Sequence, residues 1–342
     1  MNKIGIAIVG LGSAVAPHAK SLADLSDRAE VKWAASPTPE RTKKFAEQFP
    51  FPVTNDIKGA ISDPAVDAVL ILTPPNTHLE IAQRCFASGK HVLLEKPVEG
   101  TLAKAERVVA GAEQAGVRLG VVLQHRFRAG SLRLRALIDE GALGAIEAAA
   151  MTVLWWRPQS YYDEPGRGSM ARDGGGVLMT QAIHTLDLFR SLVGIAETLA
   201  AQVITTGAHR METEDYASAL VRLGNGAPGS ILVTTAAYPG YPERIDIIGT
   251  KGTACLSGST LRVDYVDGYE ESVVADERTG GGANHMDFAH DAHRALWSDF
   301  LDAVRDEREP RASGEEALAS QRIIDAILVK GKALSACSPR SN

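Results

Sequence analysis

Two glycines directly behind the first apolar run constrain this chain more than any other feature. The segment IGIAIVGLGSAVAPHAKSL carries Gly10 and Gly12 after a strand-like stretch and before a helical one. Short apolar runs then alternate with helical patterns to about residue 126, the order of βαβ units around a parallel sheet. Strands are expected over 4–9, 31–35, 68–72, 91–94 and 119–123, each continuously apolar, as a strand covered on both faces must be. Helices between them are expected to open at Thr38 before Pro39, at Thr77 with Glu80 in a capping box, and at Thr101. Gly89 and Gly116 stand where helices should stop.

In this context the turn reads as a dinucleotide cradle. Glycine at 10 and 12 lets the backbone turn tightly and approach a pyrophosphate, held by amides of Gly10, Leu11, Gly12, Ser13 and Ala14 at the helix N-terminus. Val15 takes the third fingerprint position, so looser helix–strand packing is expected there. The second strand ends in Ala35 and Ser36, with no carboxylate to repel a phosphate. With Thr38 and Arg41 nearby, the cofactor is expected to be NAD or NADP; Arg41 reads equally well as a solvated helix residue.

Past residue 126 the logic becomes α+β. A helix is expected over 130–140, a largely antiparallel sheet from strands 147–155, 197–205, 217–223, 230–236 and 244–248, and one helix over 177–192. Terminal helices are expected over 291–305 and 315–334, the second opened by Ser313 with Glu316. A chain of 342 residues exceeds what one core usually holds. The fold class expected is therefore α/β: a Rossmann dinucleotide-binding domain over 1–125, then an α+β domain with an open sheet over 126–342. Helix 315–334 is a candidate to pack back on the first domain.

Composition narrows the partners. A net charge of −6 offers no basic field for nucleic acid or anionic lipid, and no apolar run approaches bilayer length. Cys85, Cys255 and Cys337 lack any metal-ligand spacing and read as free thiols in a cytoplasmic setting; no metal is expected. Lys3 with an apolar run and Ala14-Val15-Ala16 imitates a secretory signal, but Gly5, Gly10 and Gly12 interrupt it.

The run HVLLEKPVEG ends a buried strand in Glu95, Lys96 and Pro97, aiming a lysine into the crevice where ligands of such sheets bind. Pro97 should hold Lys96 extended. Together with GLGSAVAPHA, TPPNTHLEIA, QHRF and GGGVLMTQAIHTLDL, this segment resembles the Gfo/Idh/MocA family of oxidoreductases across nearly the whole chain. The resemblance implies NAD or NADP, sugar or cyclitol substrates, and homodimers or homotetramers formed through the open sheets. It also implies cofactor contacts from Thr73, Pro74, Asn76, His78, Glu95, Lys96 and Gln124. It makes Lys96 and His184 catalytic, with Thr180 a third catalytic candidate, and His184 or Lys96 is expected to take a proton from a carbinol while hydride passes to the nicotinamide.

Many family members carry Asp four residues before that histidine; here it is Thr180. On one continuous helix Thr180, His184 and Asp187 would share a face, with Asp187 either supplying charge or serving structure. Gly174, Gly175 and Gly176 would give that helix a flexible approach. The preceding stretch concentrates Trp155, Trp156, Arg157, Tyr161, Tyr162, Arg167 and Arg172, followed by Asp173. Of these Trp156, Arg157, Tyr161, Arg172 and Asp173 are substrate-binding candidates, together with Arg126, Lys96 and His184, suiting a ring with an anionic group or else a packed interior. His285, His290 and His293 match no zinc spacing and are left as pocket candidates. Two other classes stay open: a non-redox lyase or glycosidase, and a dinucleotide-binding sensor.

Overall fold

The computed structural model describes residues 3–274 and 289–337, so His285 and the end of the chain beyond 337 lie outside the described residues. It divides into two units, residues 1–124 with 290–319, and residues 125–289 with 320–342.

The first unit is built on strands β1 (Ile4–Val9), β2 (Ala29–Ala35), β3 (Val53–Thr54), β4 (Ala68–Ile71), β5 (His91–Leu94) and β6 (Leu119–Val121). They lie in the order β3-β2-β1-β4-β5-β6, all parallel. All six residues of β1 are buried, which explains its unbroken apolar run. Because the strands are parallel, the carboxyl ends of all six fall on one edge, and the order reverses between β1 and β4. That is the position where such sheets bind ligands. The short β3 escaped the sequence reading because two residues carry no periodicity.

The return of the chain to this unit differs from expectation. It begins at His290 and ends at Ala319, inside helix Gly314–Cys337, so only the start of the helix that was a candidate to pack back belongs to this unit. Its main element is helix Asp291–Arg305, which packs on helix Val15–Asp24: the fully buried Trp297 donates its indole N–H to His18 Nδ1 at 3.0 Å. Residues before the last helix run beside β6, where Val121 N–H donates to Ala312 O.

The caps divide. Thr101 accepts from Lys104 N–H as expected, and Ser313 from Glu316 N–H. Thr38 and Thr77 make no side-chain cap bond; the Thr77 hydroxyl instead sits between Thr73 Oγ1 at 2.7 Å and Pro74 O at 2.8 Å. Thr77 therefore closes its own loop, and the expected capping box does not form.

The second unit holds an eight-stranded sheet. Its strands are β7 (Ile146–Leu154), β8 (Ile195–Ile204), β9 (Tyr216–Leu223), β10 (Pro228–Thr234), β11 (Arg244–Gly249), β12 (Gly252–Ser257), β13 (Thr260–Tyr265) and β14 (Glu270–Val273). The order is β14-β13-β12-β11-β7-β10-β9-β8, antiparallel except where β7 and β10 run parallel. Burial alternates along β9 and β13, so one face builds the core and the other shows polar side chains. Strands β12 to β14 were not anticipated, since Arg262, Asp264 and Glu270 fill the outer positions of short segments.

The expected helix over 177–192 is two pieces, Val177–Thr180 and Ile183–Val193. The break lies where Ala182 N–H reaches back five residues to Val177 O at 2.8 Å, inserting one extra residue into the turn. Thr180, His184 and Asp187 consequently do not share one continuous helical face.

Candidate functional site

The carboxyl edge of the first sheet gathers every cofactor candidate. Gly10 through Ala14 follow β1, Ser36 to Arg41 follow β2, Thr73 to His78 follow β4, Glu95 and Lys96 follow β5, and Gln124 follows β6. Gly10 has φ of 102°, and a Cβ there would lie 2.8 Å from the Leu72 carbonyl carbon, so the protein itself demands glycine. Gly12 is different: a Cβ there would meet nothing within 4 Å. Helix Val15–Asp24 then starts with no side-chain cap and no acid in its first turn. Side chains thus leave its leading amides uncapped, which fits a pyrophosphate. Val15 is itself buried, at 7 % exposure.

Ser36 is buried beneath this edge, accepting from Thr38 N–H at 3.3 Å while its carbonyl takes the Asn55 amide at 2.7 Å; Arg41 is exposed. No carboxylate stands at the end of β2. His78, a cofactor candidate, is instead fully buried: Nε2 lies 2.8 Å from Thr73 O and Nδ1 lies 3.1 Å from Pro97 O. It ties the loops after β4 and β5 together, and burial lowers its pKa. His78 thus anchors the backbone directly after Lys96, at Pro97 and Val98.

The Lys96–Pro97 peptide is cis, a feature the expected extended geometry did not include. Beside it, burial pushes the Glu95 carboxyl up to about 7, with Lys96 partly opposing the rise. His18 Nε2 is 4.0 Å from Glu95. Since Trp297 donates to Nδ1, the proton of neutral His18 sits on Nε2, facing Glu95, and burial holds the His18 pKa well below the usual histidine range.

In the second unit His184 is 8 % exposed and stands in the first turn of its helix. Its ring stacks on His125, centroids 5.0 Å apart and planes 30° from parallel. Glu243 Oε1 lies 3.9 Å from His125 Nδ1 and also takes a hydrogen bond from Arg128 Nη1. Sequence reasoning missed His125 and Glu243: the first sat inside a recognised motif without a role, and the second lies more than a hundred residues from its partners His125 and Arg128.

Asp187 is structural. Arg126 grips it bidentately at 2.6 and 2.7 Å, and Ser320 donates to the same carboxylate at 2.7 Å. That clamp engages Arg126, which was expected at the substrate. Thr180 donates to Gly176 O at 2.7 Å and touches the Gln181 amide. The bond to Gly176 O ties Thr180 to the turn before the helix break.

The glycine run is clamped, not flexible. Glu214 accepts from Gly176 N–H and Leu178 N–H, its carbonyl accepts from Val177 N–H, and a Cβ on Gly176 would lie 1.8 Å from that carbonyl oxygen. Burial raises the Glu214 pKa against the pull of those amides.

The loop before it is ordered by its own side chains. Arg157 lies over Trp155 and Tyr161, at 5.2 and 5.7 Å, and burial lowers its pKa. Arg167 lies 4.4 Å over Tyr161 and donates to its hydroxyl, which also takes the Gln181 amide. Asp173 is turned inward onto Gly168 N–H, and Arg172 Nη1 reaches Pro165 O, so both serve the loop. Tyr162 bonds Thr235, and Trp156 packs edge-on against Tyr238. His290 pairs with Asp24 and His293 packs edge-on against His18, both within the first unit. Among the described residues no group of acids, histidines and cysteines is placed to hold a metal.

Comparison with known proteins bears on this geometry. Residues 4–123 match the model described as an oxidoreductase family with an NAD-binding Rossmann fold, and residues 131–255 match the GFO/IDH/MocA C-terminal domain. The chain is 31 % identical to the WlbA dehydrogenase from Bordetella pertussis, solved in complex with NADH and UDP-GlcNAcA, with TM-score 0.82 and 97 % of each chain covered. It is 27 % identical to myo-inositol 2-dehydrogenase of Thermotoga maritima over 91 % of each chain. It is 33 % identical to 1-carboxy-3-chloro-3,4-dihydroxycyclo hexa-1,5-diene dehydrogenase of Comamonas testosteroni over 69 % of this chain and 58 % of that one.

Proposed function

The chain belongs to the Gfo/Idh/MocA family of oxidoreductases, and from that premise we propose that it is a nicotinamide-dependent dehydrogenase acting on a CH–OH group of a hydroxylated ring bearing an anionic group. The observation that carries the redox part is the open helix N-terminus behind Gly12, with Lys96 at the same sheet edge. The order β1-β4-β5 puts Lys96 two strands, roughly 10 Å, from the phosphate turn, a span suited to a dinucleotide.

When bound, the nicotinamide takes up or gives back the hydride. The chain's own residues handle binding and the proton. Amides of Leu11 to Ala14 hold the pyrophosphate, and Ser36 without a neighbouring carboxylate admits a 2′-phosphate, so NADP is used alongside NAD. Glu95, ionising near neutrality, tunes the charge beside Lys96. Lys96 and His184 are the groups that exchange the carbinol proton.

The anionic part is supported by the desolvated Arg157 and by Arg167 on Tyr161. It is also consistent with the carboxylated, dihydroxylated ring in the name of the Comamonas relative and the nucleotide sugar of the Bordetella complex. Cytoplasmic residence is part of the proposal and accords with the free thiols Cys85 and Cys255. So is a homodimer or homotetramer through the outer sheet face, where Leu199, Leu220 and Ile248 are 43, 57 and 46 % exposed.

The test is turnover of inositols, aldoses, uronic acids and carboxylated cyclic diols with NAD or NADP, followed by absorbance of the reduced nicotinamide. At least one acidic ring substrate should turn over, and Lys96→Ala and His184→Ala should each lower kcat/KM by about 10²-fold or more. Both variants keeping wild-type turnover would remove the catalytic assignment.

A further inference from the structure

His209 and Asp215 form a buried pair in the second unit that the proton chemistry does not use: both side chains are 0 % exposed, and His209 Nδ1 lies 2.7 Å from Asp215 Oδ2. The other ring nitrogen, Nε2, lies 2.8 Å from the carbonyl oxygen of Arg157. We propose that His209 is a positioning residue for the loop before the glycine run: an imidazolium that donates one N–H to Asp215 and the other to Arg157 O, and so sets the Arg157 guanidinium for the anionic group of the substrate. The inference rests on the reading of that substrate as an anionic ring and deepens it.

The bonds around the pair decide where its protons sit. A carbonyl oxygen only accepts, so Nε2 carries a proton. Asp215 takes the Thr206 backbone N–H on Oδ1 at 2.7 Å and the Thr206 hydroxyl on Oδ2 at 2.6 Å, and that hydroxyl accepts in turn from Ala208 N–H. Donors converging on both oxygens favour the ionised carboxylate, so Nδ1 carries a proton as well. Trp156 and Tyr162 flank the ring, with centroids 6.0 and 4.8 Å away, and the Tyr162 hydroxyl is held on Thr235. The backbone of Arg157 is thereby fixed on both sides: its N–H donates to Thr235 O at 2.9 Å, its carbonyl receives His209, and Pro158 restricts it to extended geometry. From that fixed start its guanidinium lies over Trp155 and Tyr161. A side chain ordered before the ligand arrives loses less freedom on binding.

Ring protons and kinetics test this together. In ¹⁵N–¹H spectra of the full-length wild-type chain at pH 7, with His209 assigned through its own backbone, both ring nitrogens should carry a proton; a nitrogen without one overturns the proposal. In turnover, His209→Phe keeps a flat ring without donors and should raise the KM for the acidic ring substrate about tenfold, while kcat and the KM for the dinucleotide stay within twofold. His209→Gln, which keeps an N–H near the Arg157 carbonyl, should recover most of that loss. An unchanged KM in His209→Phe, or a loss that His209→Gln does not recover, overturns the proposal too. If the wild type turns over no acidic ring, the substrate reading fails, and a measurement without substrate still decides the role of His209. The Arg157 Nε–H signal should be single and sharp in the wild type and broadened in His209→Phe, and a signal alike in both contradicts the positioning role.

Discussion

Two glycine-rich turns lead into helices in this molecule, and they do opposite things. Behind Gly10 and Gly12 the helix starts without a side-chain cap, and a side chain at Gly12 would meet nothing within 4 Å. At Gly174 to Gly176 the amides are filled by Glu214, and a side chain at Gly176 would collide with backbone. In the first turn Gly10 answers to packing against Leu72, whereas Gly12 has room for a side chain and answers to something other than packing. The second turn needs glycine for the protein's own packing. A glycine run therefore says little about function until its surroundings are known.

The contrast is best broken by substitution, beginning with the largest effect. Gly176→Ala places a Cβ 1.8 Å from the Glu214 carbonyl oxygen, and Gly10→Ala places one against Leu72 at a φ of 102°. Each should destabilise the chain by about 3 kcal/mol or more in denaturant unfolding, because backbone cannot move aside cheaply. Glu214→Ala empties two amide bonds of the clamp and should cost about 2–4 kcal/mol, with dinucleotide affinity in calorimetry unchanged. Gly12→Ala should do the reverse, leaving stability within about 0.5 kcal/mol while weakening dinucleotide binding roughly tenfold or more. If Gly12→Ala unfolds the chain and spares binding, the two turns are not distinct.

The smallest effect concerns pH. A carboxyl whose pKa is raised on folding binds its proton more tightly in the folded than in the unfolded chain, so stability is lost as pH rises from the ordinary glutamate value toward about 7. Glu95→Gln should flatten that loss between pH 4.5 and 7, and unfolding midpoints across this range would reveal it. His18 acts with the opposite sign. Its folded pKa is depressed, so its contribution is present above the ordinary histidine value and is lost as pH falls below it.

What could be read beforehand follows the same division. The parallel sheet was legible because each buried strand writes an unbroken apolar run, and β5 falls on the expected residues 91–94. Lys96 and the phosphate turn were legible because local sequence fixes their place at a strand end. The helix over 177–192 misled because a single extra residue near Gln181 leaves the apolar pattern intact while breaking the helix between Thr180 and Ile183. Glu214, Glu243 and Ser320 were invisible because each reaches its partner from a remote part of the chain, and no periodicity records such a meeting. Arg126 looked like a ligand arginine for the same reason: its partner, the buried Asp187, lies 61 residues away.

The account stands on the open turn at Gly12 receiving a pyrophosphate. Isothermal calorimetry of the full chain with NAD and with NADP measures this directly. Binding of at least one of them at a single site per chain, lost or much weakened in Gly12→Ala, is the result expected. No heat from either at millimolar concentration, with the chain folded, would contradict it.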